Sequence, residues 1–563
     1  MASTQLASRS SEKISARGKT EAGERPARFW TVWRNPTLGL GLLGGLLFWA
    51  ALSPWELWPL AWLAPMPWIV LGVRRELGGR RPYRSMWLAG FVFWLATLHW
   101  LTLPYWATAF GWLLLSAYLA IYWPLFVGLL RVAVRLRLPS ILAAPLVWTG
   151  LELAQAHLLG GFLMGSLAHT QCRQLPLIQI SDLGGSYAVT FLVVWVAACL
   201  VRMLPLDGRR WSIWPAAPLA VLLAGALVYG HMRLSDHAGV RPGPHVALIQ
   251  GSIDTEMKAD PGQSKEVLTQ YFGLSERAVR ENPDLDLIVW PETMFRNPWF
   301  LFDKDYVPTD PDAPSTTEIQ TRSHEQVGRM VRVLGTPALI GIETARFRRT
   351  KLDRYNSALF VDRSGEARGR YDKVHLVMFG EYVPLADRFP RIYSLTPLAG
   401  GLSPGAGPVG VQLGKARYAA NICYESTLPH LIRDQVQQLR DSGEEPDVLV
   451  NLTNDGWFWG SSELDMHLAC GVFRAVECRK PFLIAANTGF SAWIDADGRI
   501  VKRGPRRETG IVVAHVQLDS RSSPYVACGD WPAGCCLSGC VALAVAGLGM
   551  RLGSARRVAP SAG

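Results

Sequence analysis

Three short stretches of this chain carry side chains that are costly to hold among apolar neighbours. In Tyr418-Ala419-Ala420-Asn421-Ile422-Cys423-Tyr424-Glu425 an apolar run ends in a thiol beside a carboxylate, and Ser426, Thr427 and Pro429 follow. The pattern is that of a buried strand delivering Cys423 to a turn, with a helix starting after Ser426 or Thr427. A helix amino terminus and a nearby cation both favour thiolate over thiol, so Cys423 is a candidate nucleophile. A buried cysteine taken alone is more often packing than chemistry. In Val289-Trp290-Pro291-Glu292-Thr293 the proline ends a strand and leaves Glu292 at its carboxyl end, where sites on open α/β sheets lie; a solvated loop carboxylate would look the same. In Arg370-Tyr371-Asp372-Lys373-Val374-His375-Leu376, Lys373 alternates with apolar residues. As a set, the carboxylate can take the thiol proton, the thiolate can attack a carbonyl, and the ammonium with a backbone N–H can stabilise the oxyanion.

The elements that must position these groups read as a layered α/β domain between about 245 and 525. Strands are expected at 245–250, 286–290, 338–342, 357–361, 417–423, 448–452, 482–486 and 491–495. Helices are expected at 264–281, 317–334, 428–439 and 464–479. Continuous Val/Ile/Leu runs imply strands buried on both faces. A Gly/Pro-rich loop spans 393–411. Another loop, after Trp290, holds Trp299-Phe300-Leu301-Phe302 and reads as a lid or membrane-dipping element, or as ordinary core.

Outside that domain the sequence is apolar. Segments 37–52, 56–73, 86–104, 107–130, 140–158, 183–201 and 213–231 precede it and 531–550 follows it, each near the length that crosses a bilayer. The chain carries a formal charge of +11, but its arginines cluster at the ends of apolar runs, which favours the positive-inside pattern over nucleic-acid binding. Arg74, Arg75, Arg80, Arg81 and Arg84, then Arg131, Arg135 and Arg137, then Arg202, Arg209 and Arg210 mark alternate links as cytoplasmic. Seven crossings then carry the α/β domain to the far side, and the eighth returns Arg551, Arg556 and Arg557. Residues 1–35 read as a disordered cytoplasmic tail, 36–232 as a seven-helix membrane domain, 531–550 as an eighth helix and 551–563 as a second cytoplasmic tail. No cleavage pattern follows the first apolar run, so it is expected to stay as an anchor. Nine scattered cysteines without CxxC pairs imply neither a zinc site nor a disulfide framework.

Further motifs fall in a fixed order. Tyr355-Asn356-Ser357-Ala358 precedes Tyr371-Asp372-Lys373-Val374-His375-Leu376-Val377, and Phe379-Gly380-Glu381-Tyr382-Val383-Pro384 comes next. After Cys423 follow Asn451-Leu452-Thr453-Asn454-Asp455-Gly456-Trp457-Phe458, His467-Leu468, Arg474-Ala475-Val476-Glu477 and Asn487-Thr488-Gly489; Gln179-Ile180-Ser181-Asp182-Leu183-Gly184-Gly185 lies in the apolar half. These motifs resemble the nitrilase superfamily and, within it, the apolipoprotein N-acyltransferase family of bacterial membrane enzymes, over nearly the whole chain after residue 36.

The resemblance implies a multi-pass α-helical membrane domain plus an extracytoplasmic nitrilase-like α-β-β-α sandwich. Glu292 would be the base, Lys373 the oxyanion-stabilising residue and Cys423 the nucleophile. Glu381 would orient or neutralise Lys373, Tyr424 and Glu425 would support the nucleophile, and His375 would be structural. The implied reaction moves an acyl chain from a phospholipid, through a Cys423 thioester, to the α-amino group of a diacylglyceryl-cysteine at an apolipoprotein's amino terminus. The implied place is the bacterial inner membrane, as a monomer, with the catalytic domain periplasmic and both termini cytoplasmic; no cofactor, metal or nucleic acid is called for. Because both substrates are lipids, the site should open towards the bilayer, with Asn356, Trp299, Phe300, Trp457, Phe458 and Trp459 as candidate contacts. Met378 stands where the family usually has proline, Lys258-Ala259 where it has Lys-Trp, and 151–153 and 161–164 lack its tryptophans and its Phe-Pro-Trp run. Two other readings use the same residues: a membrane-tethered amidase for a small substrate, which would not need eight crossings, and a non-catalytic lipid-binding or transport protein, which would not need an intact Glu, Lys and Cys.

Overall fold

The computed structural model describes residues 35–558 apart from 207–209, 255–256, 258–259, 309–311, 313, 385, 387, 390 and 392–400. The expected amino-terminal tail, Lys258-Ala259 and much of the 393–411 loop lie outside the described residues.

Every expected apolar segment forms helix. The runs are Pro36–Ala51, Trp58–Trp62 with Met66–Val73, Pro82–Thr97, Thr108–Leu119 with Tyr122–Arg135, Ser140–His157, Ser186–Met203, Ala216–Ser235 and Trp531–Val558. Among the described residues, four stretches are long and apolar enough to cross a membrane: Thr108–Arg135, Ser186–Met203, Ala216–Ser235 and Trp531–Leu552. Pro36–Ala51 and Trp58–Val73 are apolar but shorter. The bundle core is aromatic, with Trp68, Phe93, Trp123 and Phe126 all buried in one cluster.

The α/β half contains strands β1 (Val240–Gln250), β2 (Leu287–Phe302), β3 (Ala338–Phe347), β4 (Leu352–Val361), β5 (Ala367–Asp372) and β6 (Gly410–Leu413). After these come β7 (Ala416–Ile422), β8 (Val448–Thr453), β9 (Phe482–Ala486), β10 (Ala492–Ile494), β11 (Ile500–Arg503) and β12 (Gly510–Asp519). They form two six-stranded sheets, ordered β12-β1-β2-β3-β4-β5 and β11-β10-β9-β8-β7-β6. The side-chain period of two divides each run between two cores. Val246 and Leu248 of β1 point inward with Val289, Tyr418, Ile422 and Val450, between the sheets. Ala247 and Ile249 point outward, under helices Ser264–Glu281 and Thr316–Leu334. Helices Pro429–Asp441 and Glu463–Cys478 cover the other sheet in the same way, so the layers are α-β-β-α, as the resemblance implies. Local chemistry sets these helices. Ser315 accepts from the Glu318 N–H at the start of Thr316–Leu334, and Gly335 ends it in the left-handed region, at φ 67°.

One expectation fails here. The loop after Trp290 is strand: β2 runs on to Phe302 and pairs with β3, with register shifts between Trp290 and Phe295 and between Phe295 and Trp299. Trp299 is buried and stacks on His324 at 3.6 Å between centroids, and Phe300 packs near Phe347, so neither forms a lid.

The two halves are clasped by buried polar contacts. Arg479 donates to Asp182 at 2.6 Å with both side chains fully buried, and Arg233 reaches the same carboxylate at 2.9 Å. Glu477 accepts from the Ser186 N–H at 2.7 Å. Asp182 and Ser186 flank the Gly184-Gly185 turn, so this motif serves as the dock for the catalytic half. At the other side of the joint His157 stacks on His430 with centroids 4.0 Å apart. Burial, then the neighbouring His157, His375, Arg433 and Arg474, push His430 down to about 3. A histidine depressed in the fold costs stability once the unfolded chain can take up the proton, so stability should fall as pH drops from about 6.5 towards 3, by about 1.4 kcal/mol per unit at most. Melting temperatures across that window should decline for the natural chain and less steeply for His430→Phe, which keeps the stack; parallel curves would show that other groups are responsible.

Candidate active site

Cys423 follows the last residue of β7 and opens a short 3₁₀ turn, Cys423–Thr427. Its φ is 53°, in the left-handed region that β-carbon residues rarely occupy. Two donors hold its carbonyl, Asn451 Nδ2 and Ser426 Oγ, each at 3.1 Å. The following helix begins at Pro429, close to where the sequence places it. Burial, and then the charge of Glu292, raise the thiol well above its ordinary value; Lys373 pulls it the other way. At rest Cys423 is therefore a neutral thiol, and its use as a nucleophile would need a base.

Glu292 comes from the irregular part of β2. Its Oε1 accepts from Asn356 Nδ2 at 2.6 Å and its Oε2 from the Asn454 N–H at 3.0 Å, which ties one sheet to the other across the site. Asn356, on β4, also donates to Glu381 Oε1 at 3.3 Å. With two carboxylates facing the same nitrogen its amide orientation is fixed, and its buried Oδ1 has no hydrogen-bond partner. Lys373, just past β5, is 1% exposed and donates to Glu381 Oε1 at 2.9 Å. Burial opposes the ammonium, but Glu381, Cys423, Glu292 and Glu425 around it outweigh burial and raise its pKa. Glu381 Oε2 accepts from the Val377 N–H at 2.9 Å, which pins the loop beyond Lys373.

Glu425 holds the site together from behind. Its Oε1 accepts from Tyr371 Oη at 2.8 Å, the Val374 N–H at 2.8 Å and the His375 N–H at 2.9 Å, and its Oε2 from the Ile422 N–H at 2.7 Å. The segment carrying Lys373 is thereby fastened to the strand carrying Cys423. Tyr424 donates to the Gly161 carbonyl at 2.7 Å, and His375 lies 2.9 Å from the Gly160 carbonyl, so both bond the helical half, consistent with a structural His375. Trp457 and Trp459 are exposed, whereas Phe458 packs edge-on against Trp100 of the helical half. Among the described residues one buried group, Asp455, Glu463 and His467, has ligand-type atoms within 4.8 Å of one another.

A face-to-face α-β-β-α sandwich with a glutamate, a lysine and a cysteine gathered from both sheets defines a carbon–nitrogen hydrolase domain, here joined to a helical one. Family models agree: residues 245–523 match carbon-nitrogen hydrolase and 44–199 match the apolipoprotein N-acyltransferase N-terminal domain. The apolipoprotein N-acyltransferase of Geobacter metallireducens is 33% identical over 518 residues, covering 90% of this chain and 94% of its own. That of Rhodopirellula baltica is 32% identical over 540 residues, covering 87% and 93%. This chain belongs to the apolipoprotein N-acyltransferase family, and it is an acyltransferase. Among solved structures, an amidase from Nesterenkonia sp. covers 51% of this chain and 95% of its own at 18% identity, with a TM-score of 0.35.

Proposed function

We propose that Cys423 takes an acyl chain from a phospholipid as a thioester and passes it to the α-amino group of the diacylglyceryl-cysteine of an apolipoprotein. The observation that carries this reading is the hydrogen-bonded Glu292–Asn356–Glu381–Lys373 cluster beside a neutral, left-handed Cys423. In the first half, Glu292 takes the thiol proton, sulfur bonds to the ester carbonyl, and the C–O bond breaks as Glu292 returns the proton to the departing lysophospholipid. In the second, Glu292 takes a proton from the attacking amine, the C–N bond forms, and the C–S bond breaks to restore the thiol. Lys373 and the Tyr424 N–H stabilise the oxyanion of both intermediates. The unpaired Asn356 Oδ1 suits an amine N–H.

Residues 36–232 and 531–550 would cross the membrane eight times and 245–525 would form the periplasmic domain, with both termini cytoplasmic in a bacterial inner membrane. Arginine-rich alternate links support this orientation. Exposed Trp58 lines a cleft with Asp465 and Met466 of the α/β half, and exposed Trp457 and Trp459 flank Phe458, which packs on Trp100; this suits an interfacial belt at the domain boundary. The chain would work as a monomer whose site opens sideways, with Trp457 as gate.

The direct test follows a labelled acyl chain from phospholipid vesicles to the amino group of a diacylglyceryl peptide. Transfer should require Cys423; free fatty acid in place of amide would mean hydrolysis of the lipid rather than transfer, and no release of label would favour a small substrate instead. Trp457→Ser should slow turnover of vesicle lipid several-fold more than hydrolysis of a soluble ester; equal effects would remove the gate.

A further inference from the structure

The chemistry above leaves unused a buried polar chain behind the nucleophile. Asp455, Glu463 and His467 are 3, 4 and 3% exposed. Three such groups are a plausible cation cage, but the imidazole is already engaged on both sides. Its Nε2 lies 2.7 Å from Ser426 Oγ, and its Nδ1 lies 3.3 Å from Asp455 Oδ1. Ser426 Oγ donates its one proton to the Cys423 carbonyl at 3.1 Å. With that proton committed, His467 Nε2–H donates to Ser426 Oγ and Nδ1–H donates to Asp455 Oδ1, so both ring nitrogens act as donors. Burial and the nearby Asp455 push Glu463 well above the usual carboxylate range, and Asp455 Oδ1 also accepts from Thr453 Oγ1 at 2.6 Å.

The same helix grips Ser426 a second time. Arg474 lies seven residues on from His467, on the same helix face, and its guanidinium donates to the Ser426 carbonyl at 3.2 Å. Helix Glu463–Cys478 thus holds both the side chain and the main chain of the third residue after Cys423. Such a grip has a physical reason. A left-handed non-glycine residue is strained and persists only where its surroundings over-determine it. Relaxation of Cys423 towards ordinary φ would turn its side chain away from Glu292 and Lys373.

We infer that His467 is a positioning residue for the nucleophile: acting through Ser426, it fixes the Cys423 carbonyl and so keeps the thiol aimed at its base and its cation. Asp455 in turn fixes the ring. The inference rests on Cys423 being the acylated residue.

The test uses the full chain in phospholipid nanodiscs and follows single-turnover acylation by intact mass. Glutamine can place an amide N–H where Nε2–H stands, whereas asparagine reaches only the Nδ1 position. Ser426→Ala and His467→Asn should each slow acylation by about 10- to 100-fold without changing the half-saturating lipid concentration. His467→Gln should recover most of the rate, and the Ser426→Ala, His467→Asn double variant should be no slower than either single one. Alkylation of Cys423 by iodoacetamide, which needs no lipid, should fall in the same order. Equal losses in His467→Gln and His467→Asn, additive losses in the double variant, or a rise in half-saturating lipid that accounts for the loss would each overturn the inference. If His467→Asn does not fold, Ser426→Ala lacks only one hydroxyl and decides alone: acylation and alkylation at the natural rates would overturn it. An unacylated natural chain whose alkylation still follows the predicted order would overturn the acyl-carrier reading and leave the positioning role standing.

Discussion

Incubated with phospholipid, the protein should gain the mass of one acyl chain on Cys423, removable by hydroxylamine. Cys423→Ala should gain none, and Glu292→Gln should acylate about 10²–10⁴-fold more slowly. The size of the second effect follows from the state of the thiol. Burial and the charge of Glu292 hold it well above its ordinary value, so the thiolate is scarce at neutral pH and the base cannot be dispensed with. The substitution also disturbs geometry. Both carboxylate oxygens of Glu292 accept, one from Asn356 Nδ2 and one from the Asn454 N–H, so an amide there sets one donor against another. Turning Asn356 to relieve this would set its Oδ1 against the Glu381 carboxylate, so the loss should exceed that of a base alone. Alkylation of Cys423 in the natural protein should be slow at pH 7 and rise as pH climbs, because the raised pKa moves the thiolate to higher pH. Lipid consumed with no adduct would defeat the thioester mechanism.

Much of the α/β half is legible because strands buried on both faces read as unbroken apolar runs, as Phe482–Ala486 does. The edge strand β5, Ala-Arg-Gly-Arg-Tyr-Asp, was missed since only one side of it is paired and its residues are mostly polar. The stretch from Pro291 to Phe302 was read as loop because prolines interrupt ladders. It stays in the sheet because those prolines fall where the pairing with β3 is irregular. That irregularity also turns Glu292 into the site, a role bulges commonly have. The candidate site residues are legible through ordered motifs. Their couplings are not, since Glu292 meets Asn356 and Asn454 across 64 and 162 residues of sequence. Glu425 shows the difference well: its place beside Cys423 implies a supporting role, but not the four donors from Tyr371, Val374, His375 and Ile422 that occupy its carboxylate.

Lys373→Met should cost both rate and stability, and the two losses should separate. Acylation should slow by about 10²–10³-fold, the usual consequence of removing an oxyanion donor. Stability should fall by about 3–5 kcal/mol, because Lys373 is buried and the substitution strands the Glu381 carboxylate with only Asn356 and the Val377 N–H as partners. Replacing both members, Lys373→Met with Glu381→Leu, should restore much of the melting temperature and none of the activity, since an apolar pair fills the space without the charge. Glu381→Gln isolates the other function. It keeps an acceptor for Lys373 but removes the charge that does most to offset burial of the ammonium. The lysine pKa, raised in the natural protein, should fall. The ammonium is the active form, so the acylation rate should acquire an alkaline decline at lower pH than in the natural chain, while the rate at neutral pH changes less. Measured pH–rate profiles decide this. A decline at unchanged pH in Glu381→Gln, together with Lys373→Met active to within tenfold, would mean that the lysine holds the loop and does not stabilise the oxyanion.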